Sequence, residues 1–100
     1  MGWATAYIEK LKKGETVQFR PRGNSMAGRI NSGQLVTVAP LEDPAEVGDV
    51  VLCKVRGTEY LHLVKAVRGF GLERQYQIGN NTGHINGWTN KVFGKVTKVE

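Results

Sequence analysis

The chain has 100 residues, a length that suits one small domain and leaves no room for two independent cores. Its net charge of +5 is spread along the sequence, which indicates a solvated surface and argues against a dedicated nucleic-acid tract. The apolar runs are only a few residues long, whereas a transmembrane helix needs about 20. No signal-peptide pattern opens the sequence, so we expect a soluble, cytoplasmic protein.

Cysteine and histidine are too sparse to predict a metal or redox centre. The single Cys53 lies in a strand-like apolar run and has no partner for an internal disulfide, so we interpret it as a small buried side chain. His62 and His84 have no cysteine or acidic residue at ligand spacing. We therefore expect no metal and no cofactor.

The first segment of the chain has helical periodicity. Basic and polar residues separate five apolar ones that recur every three to four positions: Trp3, Ala4, Tyr7, Ile8 and Leu11. This spacing predicts one amphipathic helix over residues 2–13, and Gly14 supplies the stop. A helix of this length is marginal alone in water, so its apolar stripe is expected to dock, either as a lid on the core of the domain or as a contact for a partner.

From residue 16 onward the pattern changes to short alternating or β-branched runs bounded by Gly, Pro and Asn. Six strands are predicted, over 16–20, 35–39, 49–56, 59–67, 74–78 and 91–99. Gly57 and Thr58 are expected to turn the third strand into the fourth, and residues 79–87 have the composition of a loop. The prediction is a single domain, mainly β, forming a small, mainly antiparallel barrel or folded sheet with one N-terminal amphipathic helix.

Two side chains stand out as candidate catalytic groups. Ser25 lies in a glycine-containing bend just before a strand, where backbone N–H groups can surround a reacting carbonyl. His62 alternates with Leu61 and Leu63 along a predicted strand, and a neutral imidazole can accept the proton of a serine hydroxyl at neutral pH. A bend and a neighbouring hairpin arm can bring such distant residues together.

Five segments of the chain resemble, in order, the motifs of the LexA-like and signal-peptidase superfamily of serine peptidases. Residues 23–38 (GNSMAGRINSGQLVTV) are similar to the nucleophile box, which is approximately G-x-S-M-x-P-x-I-x-x-G-D followed by an apolar strand. Residues 47–51 (VGDVV) and 78–81 (IGNN) are similar to the family's G-D-[IV]-V strand and G-D-N loop. Residues 60–64 (YLHLV) fall where the family carries its general base, and residues 94–96 resemble its closing strand.

The resemblance implies specific roles for the residues that match. Ser25 would be the nucleophile and His62 the base, as in the histidine-containing branch, and the backbone N–H groups of Ser25 and Met26 would form the oxyanion hole. Gly23 would allow close approach of the substrate, and Asn80 and Asn81 would support the site from the loop. Asn80 stands where the family has an acid thought to orient the histidine.

The sequence departs from the family box at two further positions, with Gly28 for the usual Pro and Gln34 for the Asp. Three functions therefore stay open. The first is a soluble serine peptidase or self-processing domain, acting on a polypeptide through a Ser25–His62 dyad. The second is a catalytically silent copy of the fold that binds an extended peptide or partner protein. The third, a basic nucleic-acid-binding barrel, is the least favoured because Phe19, Tyr60 and the other aromatic residues are scattered.

Overall fold

The structure is a computed structural model that describes residues 2–100. One α-helix precedes seven strands, and a single 3₁₀ turn (Gly71–Glu73) lies between the fourth and fifth strands. The elements are α1 (Thr5–Lys12), β1 (Val17–Phe19), β2 (Val36–Pro40), β3 (Val50–Val55), β4 (Thr58–Arg68), β5 (Gln75–Gly79), β6 (Ile85–Thr89) and β7 (Val92–Val99).

All seven strands belong to one antiparallel sheet with the order β1-β2-β7-β3-β4-β5-β6. The predicted mainly β class with a short N-terminal helix is confirmed. The prediction of six strands was wrong by one, because residues 79–87 are not all loop. β6 begins inside that segment at Ile85, and its glycine and amide side chains concealed a strand that pairs with β5.

Hydrophobic side chains pack on both faces of this curved sheet. On one face, Ile8 and Leu11 of α1 cover residues of β1 to β4, which gives the larger of two core clusters. On the other face, a second cluster is built around Val51, Val64 and Ile78. Curvature brings β6 back across β3, where the Thr89 hydroxyl donates to the carbonyl of Lys54.

A buried carboxylate anchors the start of α1 to the sheet. Glu59 of β4 is only 6% exposed, and its side chain accepts hydrogen bonds from the Ala4 N–H (2.6 Å) and the Thr5 hydroxyl (2.8 Å). Negative charge at this end of a helix also complements the helix dipole. A Cβ on Gly2 would lie 2.0 Å from the Glu59 carboxylate, so a larger residue there would displace this carboxylate from its present position. The bonds start the helix at Thr5, later than the predicted residue 2.

We expect Glu59→Ala to lower the free energy of unfolding by about 2 kcal/mol, because it leaves two donors at the helix start without an acceptor. For a domain of this size, the melting temperature should fall by about 10 °C. Thermal denaturation followed by circular dichroism measures the change. Glu9→Ala is the matched control, since Glu9 makes only an exposed pair with Lys12 (3.7 Å) and its loss should shift melting little. Equal melting of the two variants would contradict the anchoring role.

The β3–β4 hairpin sets the register of the candidate histidine. Its turn consists of Arg56 and Gly57, both with positive φ (51° and 80°), as two-residue hairpin turns require. The turn therefore lies one residue earlier than predicted, and Val55 pairs with Thr58. This register places His62 opposite Val51, on the strand face away from Leu61 and Leu63.

Within residues 2–100, no helix is long and apolar enough to cross a membrane. The helix α1 has only eight residues, of which Ile8 and Leu11 are buried against the sheet. Cys53 is fully buried, as predicted, and burial raises the pKa of its thiol to about 12. This thiol stays protonated at neutral pH and is not a nucleophile.

Candidate functional site

The structure brings Ser25 and His62 together. Ser25 lies in the β1–β2 connection, His62 lies on β4, and the serine Oγ is 3.1 Å from the imidazole Nε2. Ser25 is exposed, whereas His62 is only 7% exposed. A hydroxyl open to solvent and hydrogen-bonded to a buried imidazole is the geometry that nucleophilic activation requires.

A third side chain, Asn86, completes a hydrogen-bonded chain. Its Oδ1 lies 2.7 Å from Nδ1 of His62. Since a carbonyl oxygen only accepts, Nδ1 must carry the proton, which leaves the Nε2 lone pair facing the Ser25 hydroxyl. The amide thus selects the imidazole tautomer that can accept a proton from Ser25.

A β-bulge aims Asn86 at His62. Ile78 of β5 pairs with Gly87, but the next residue, Gly79, pairs with Ile85, so Asn86 is an extra residue without a partner on β5. Bulges bend a strand and redirect a side chain, and they are frequent beside active sites. As a result, the Asn86 side chain lies over β4 and does not follow the alternating up-and-down direction of the other β6 side chains.

The surroundings favour the neutral form of the imidazole. Burial lowers the pKa of His62 below its usual 6.5; the hydrogen bond to Asn86 acts in the opposite direction, and positive charge on His84 lowers the pKa further. His62 is therefore neutral, and able to act as a base, at pH 7.

Ser25 stands at the start of a tight turn whose backbone has free donors. The Ala27 N–H donates to Asn24 (3.1 Å), and the Ile30 N–H donates to Met26 (2.8 Å). Within residues 2–100, the N–H groups of Ser25 and Met26 donate to no protein acceptor. These are the two donors that the sequence assigns to an oxyanion hole, and both remain available for a ligand.

The three predicted supporting residues have different positions. Gly23 has a φ of 110°, which favours glycine, and its N–H donates to the Ser32 hydroxyl (3.3 Å). Asn81 supports the nucleophile loop directly: its N–H donates to the carbonyl of Ser25 (3.2 Å) and its side chain donates to that of Ala27 (2.8 Å).

Asn80, which stands where the resembled family has an acid, makes its side-chain hydrogen bonds within its own turn rather than to His62. Its Oδ1 accepts the N–H groups of Thr82 and His84, both at 2.9 Å, and so closes the β5–β6 turn. An Asx side chain that caps its own turn cannot reach across to His62 as well. Asn86, six residues later, has that role in the structure.

His62 and Ser25 line a cleft of about 310 Å³ at the surface. Its other walls are mainly apolar and include Trp3, Met26, Ile30, Tyr60 and Leu61. The ring of Tyr60 lies 5.0 Å from that of His62, which excludes water from one side of the imidazole. A cleft of this kind has room for a short extended segment of peptide beside the serine.

Among residues 2–100, no group of three His, Cys, Asp or Glu side chains lies close enough to hold a metal ion. His84 is exposed in the β5–β6 turn, and its backbone interacts with Asn80. The residues near Ser25 offer an imidazole that can accept a proton and backbone N–H groups that can donate hydrogen bonds.

No protein-family model matches the sequence, and no curated protein matches it significantly.

Sequence reasoning missed two residues that shape the site. Asn86 lies in the segment 79–87 that the composition predicts to be a loop, although an amide followed by Gly87 in a strand is a signal for a bulge. Glu59 lines the cleft and also fixes α1, and an acidic residue within a predicted strand was the available signal. A buried carboxylate in a strand needs hydrogen-bond partners.

Proposed function

We propose that this protein is a serine peptidase or self-processing domain of the LexA-like and signal-peptidase type. The observation that carries the proposal is the continuous hydrogen-bonded chain Ser25–His62–Asn86, which opens into the surface cleft. The order of these sequence motifs along the chain supports the family, and the free N–H groups of Ser25 and Met26 support acyl transfer. A cytoplasmic location remains part of the proposal, and cell fractionation would test it.

In the proposed mechanism, the Ser25 hydroxyl attacks the carbonyl carbon of a peptide bond while Nε2 of His62 takes the proton. The N–H groups of Ser25 and Met26 stabilise the negative oxygen of the tetrahedral intermediate. His62 then gives its proton to the leaving amine, which breaks the C–N bond and leaves an acyl ester on Ser25. Water, deprotonated by His62, hydrolyses the ester and restores the hydroxyl.

A serine-directed phosphonate provides the direct test. We expect the folded protein to react at pH 7.5, and peptide mass spectrometry should place the adduct on Ser25. The chain has one other serine, Ser32, whose hydroxyl accepts from Gly23 and has no imidazole beside it. An intact protein that gives no adduct on Ser25 would contradict the peptidase proposal.

The rate of labelling should depend on the charge of His62. Protonated imidazole cannot accept the proton of Ser25, so the rate should rise with pH. Because burial lowers the pKa of His62, the midpoint should lie below 6.5 and the rate should be level at neutral pH. Rates measured from pH 4.5 to 8.5 give the midpoint. A midpoint above 7 would indicate that a different group acts as the base.

The silent, peptide-binding alternative has one specific observation in its favour. Asn86 is an amide, so it orients the imidazole but supplies no negative charge to stabilise the imidazolium. The short strand β1 is also at the sheet edge, where an extended peptide could pair. Peptide binding without any adduct on Ser25 would favour this alternative.

A further inference from the structure

The segment that carries the candidate nucleophile has an unbalanced charge. Between Glu15 and Glu42 the chain has no acidic residue but three arginines, Arg20, Arg22 and Arg29. Neither of the two ion pairs formed within residues 2–100 involves this segment. Its positive charge is therefore not neutralised by the protein through ion pairing.

Only one of the three arginines is free to bind a ligand inside the cleft. Arg20 donates to the carbonyl of Gly33 (2.8 Å), and Arg29 donates to that of Gly48 (3.3 Å). Arg22 is exposed and forms no hydrogen bond through its side chain within the described residues. It lines the same cleft as Ser25, whereas Arg29 does not.

Arg22 also stands at the junction between this cleft and a second surface groove. The groove has a volume of about 400 Å³ and shares Trp3, Pro21 and Arg22 with the cleft. Its apolar floor consists of packed aromatic rings, with Phe19 in edge contact with Trp3 (5.6 Å) and stacked on Tyr7 (4.5 Å). A peptide leaving Ser25 in this direction passes the guanidinium and then reaches the aromatic floor.

Glu59, the acidic side chain that lines the cleft, forms no ion pair with Arg22 within residues 2–100. Both carboxylate oxygens of Glu59 are used by the start of α1, one by Ala4 and one by Thr5. Among residues 2–100, no other Asp or Glu lines either cavity. The cleft thus offers a guanidinium whose planar donors match a carboxylate.

We propose that the cleft selects an extended peptide with an acidic side chain, bound by Arg22, close to an apolar side chain that packs on the Trp3–Tyr7–Phe19 floor. Arg22 is then a specificity-determining residue. As a statement about cleavage, the inference rests on the proposed peptidase function. As a statement about binding, it stands on the geometry of the two cavities.

The binding test uses the Ser25→Ala protein and fluorescein-labelled peptides. In each peptide a single Glu or Lys is scanned through an otherwise neutral sequence that contains one Phe, and fluorescence anisotropy gives Kd. At one or more positions near the Phe, we expect Glu to bind about fivefold more tightly than Lys, the size of an exposed ion pair. Higher salt should weaken this preference.

Charge reversal identifies the residue responsible. Arg22→Glu should invert the preference to Lys, while Arg29→Glu, with the same charge change outside the cleft, should retain the preference for Glu. Three outcomes would overturn the inference. They are equal affinity for Glu and Lys peptides at every position, an unchanged preference for Glu in Arg22→Glu, and no binding by any peptide. Phosphonate labelling of Ser25 is scored separately, so a failure of the peptidase proposal is distinguishable from a failure of this one.

Discussion

Replacing Ser25 with alanine should abolish phosphonate labelling and peptide hydrolysis while the protein stays folded. The substitution removes the hydroxyl that is hydrogen-bonded to Nε2 of His62 in the cleft. Loss of a serine nucleophile costs about six orders of magnitude in turnover, which places the residual rate below detection. Mass spectrometry of the phosphonate-treated variant, together with a peptide-cleavage assay, measures both losses.

The stability of Ser25→Ala separates a catalytic role from a structural one. Ser25 is exposed and its backbone contacts, including the bond from Asn81 to its carbonyl, do not need the hydroxyl. We therefore expect the free energy of unfolding to change by no more than about 0.5 kcal/mol. Ser32→Ala is the matched control and should still form the adduct on Ser25. Labelling that survives in Ser25→Ala would show that another group reacts.

The sequence was sufficient to predict the β-rich architecture because its short runs alternate clearly and end at glycine or proline. β2, β3, β4 and β7 each lie within one or two residues of the predicted bounds. These strands form the centre of the sheet, where buried apolar side chains such as Val51 and Leu52 make the strand positions easy to predict from the sequence. Burial of continuous hydrophobic positions is the strongest signal in a single sequence.

The predicted approach of Ser25 and His62 is present in the structure, whereas their catalytic role remains a prediction. The approach could be anticipated because the motif order suggested a bend meeting a hairpin arm. The partner of His62 could not be identified in the same way. A shift of one residue in strand register moves a side chain to the opposite face, and the bulge at Asn86 introduces such a shift.

The anchoring of α1 was also beyond sequence reasoning. Periodicity predicted the helix and its apolar stripe, but the start of the helix depends on Glu59, which is more than 50 residues away in the chain. A contact of this kind depends on the tertiary arrangement, because it forms only when the start of β4 lies beneath the start of the helix. Trp3 illustrates the consequence, because the anchored segment places its ring in the wall of the cleft rather than in the helix stripe.

Replacing Asn86 should change both the rate and the pH dependence of the reaction. In Asn86→Leu the imidazole loses the acceptor that holds its proton on Nδ1. The proton can then move to Nε2, and in that tautomer His62 cannot accept the proton of Ser25. We expect the labelling rate to fall by about a hundredfold or more, within the range that acid–base catalysis contributes. The same bond raises the pKa of His62, so its loss should move the midpoint of the pH profile downward.

Asn86→Asp should have the opposite effect on both quantities. A carboxylate accepts the Nδ1 proton more strongly than an amide does, and it stabilises the imidazolium formed when Ser25 attacks. A hydrogen bond to a charged acceptor is stronger than one to a neutral acceptor, and this difference in free energy predicts a rate increase of about tenfold. It also predicts an upward shift of the pH midpoint, because the positive charge on His62 becomes more favourable.

Asn80→Asp is the matched control for this substitution. It makes the same chemical change in the same hairpin, but Asn80 accepts hydrogen bonds from Thr82 and His84 and does not touch His62. The aspartate can still accept both N–H groups, so the turn and the labelling rate should be retained. Equal effects of the two aspartates would mean that added negative charge near the hairpin acts at long range. A response confined to residue 86 would mean that the redirected bulge side chain controls the proton on His62.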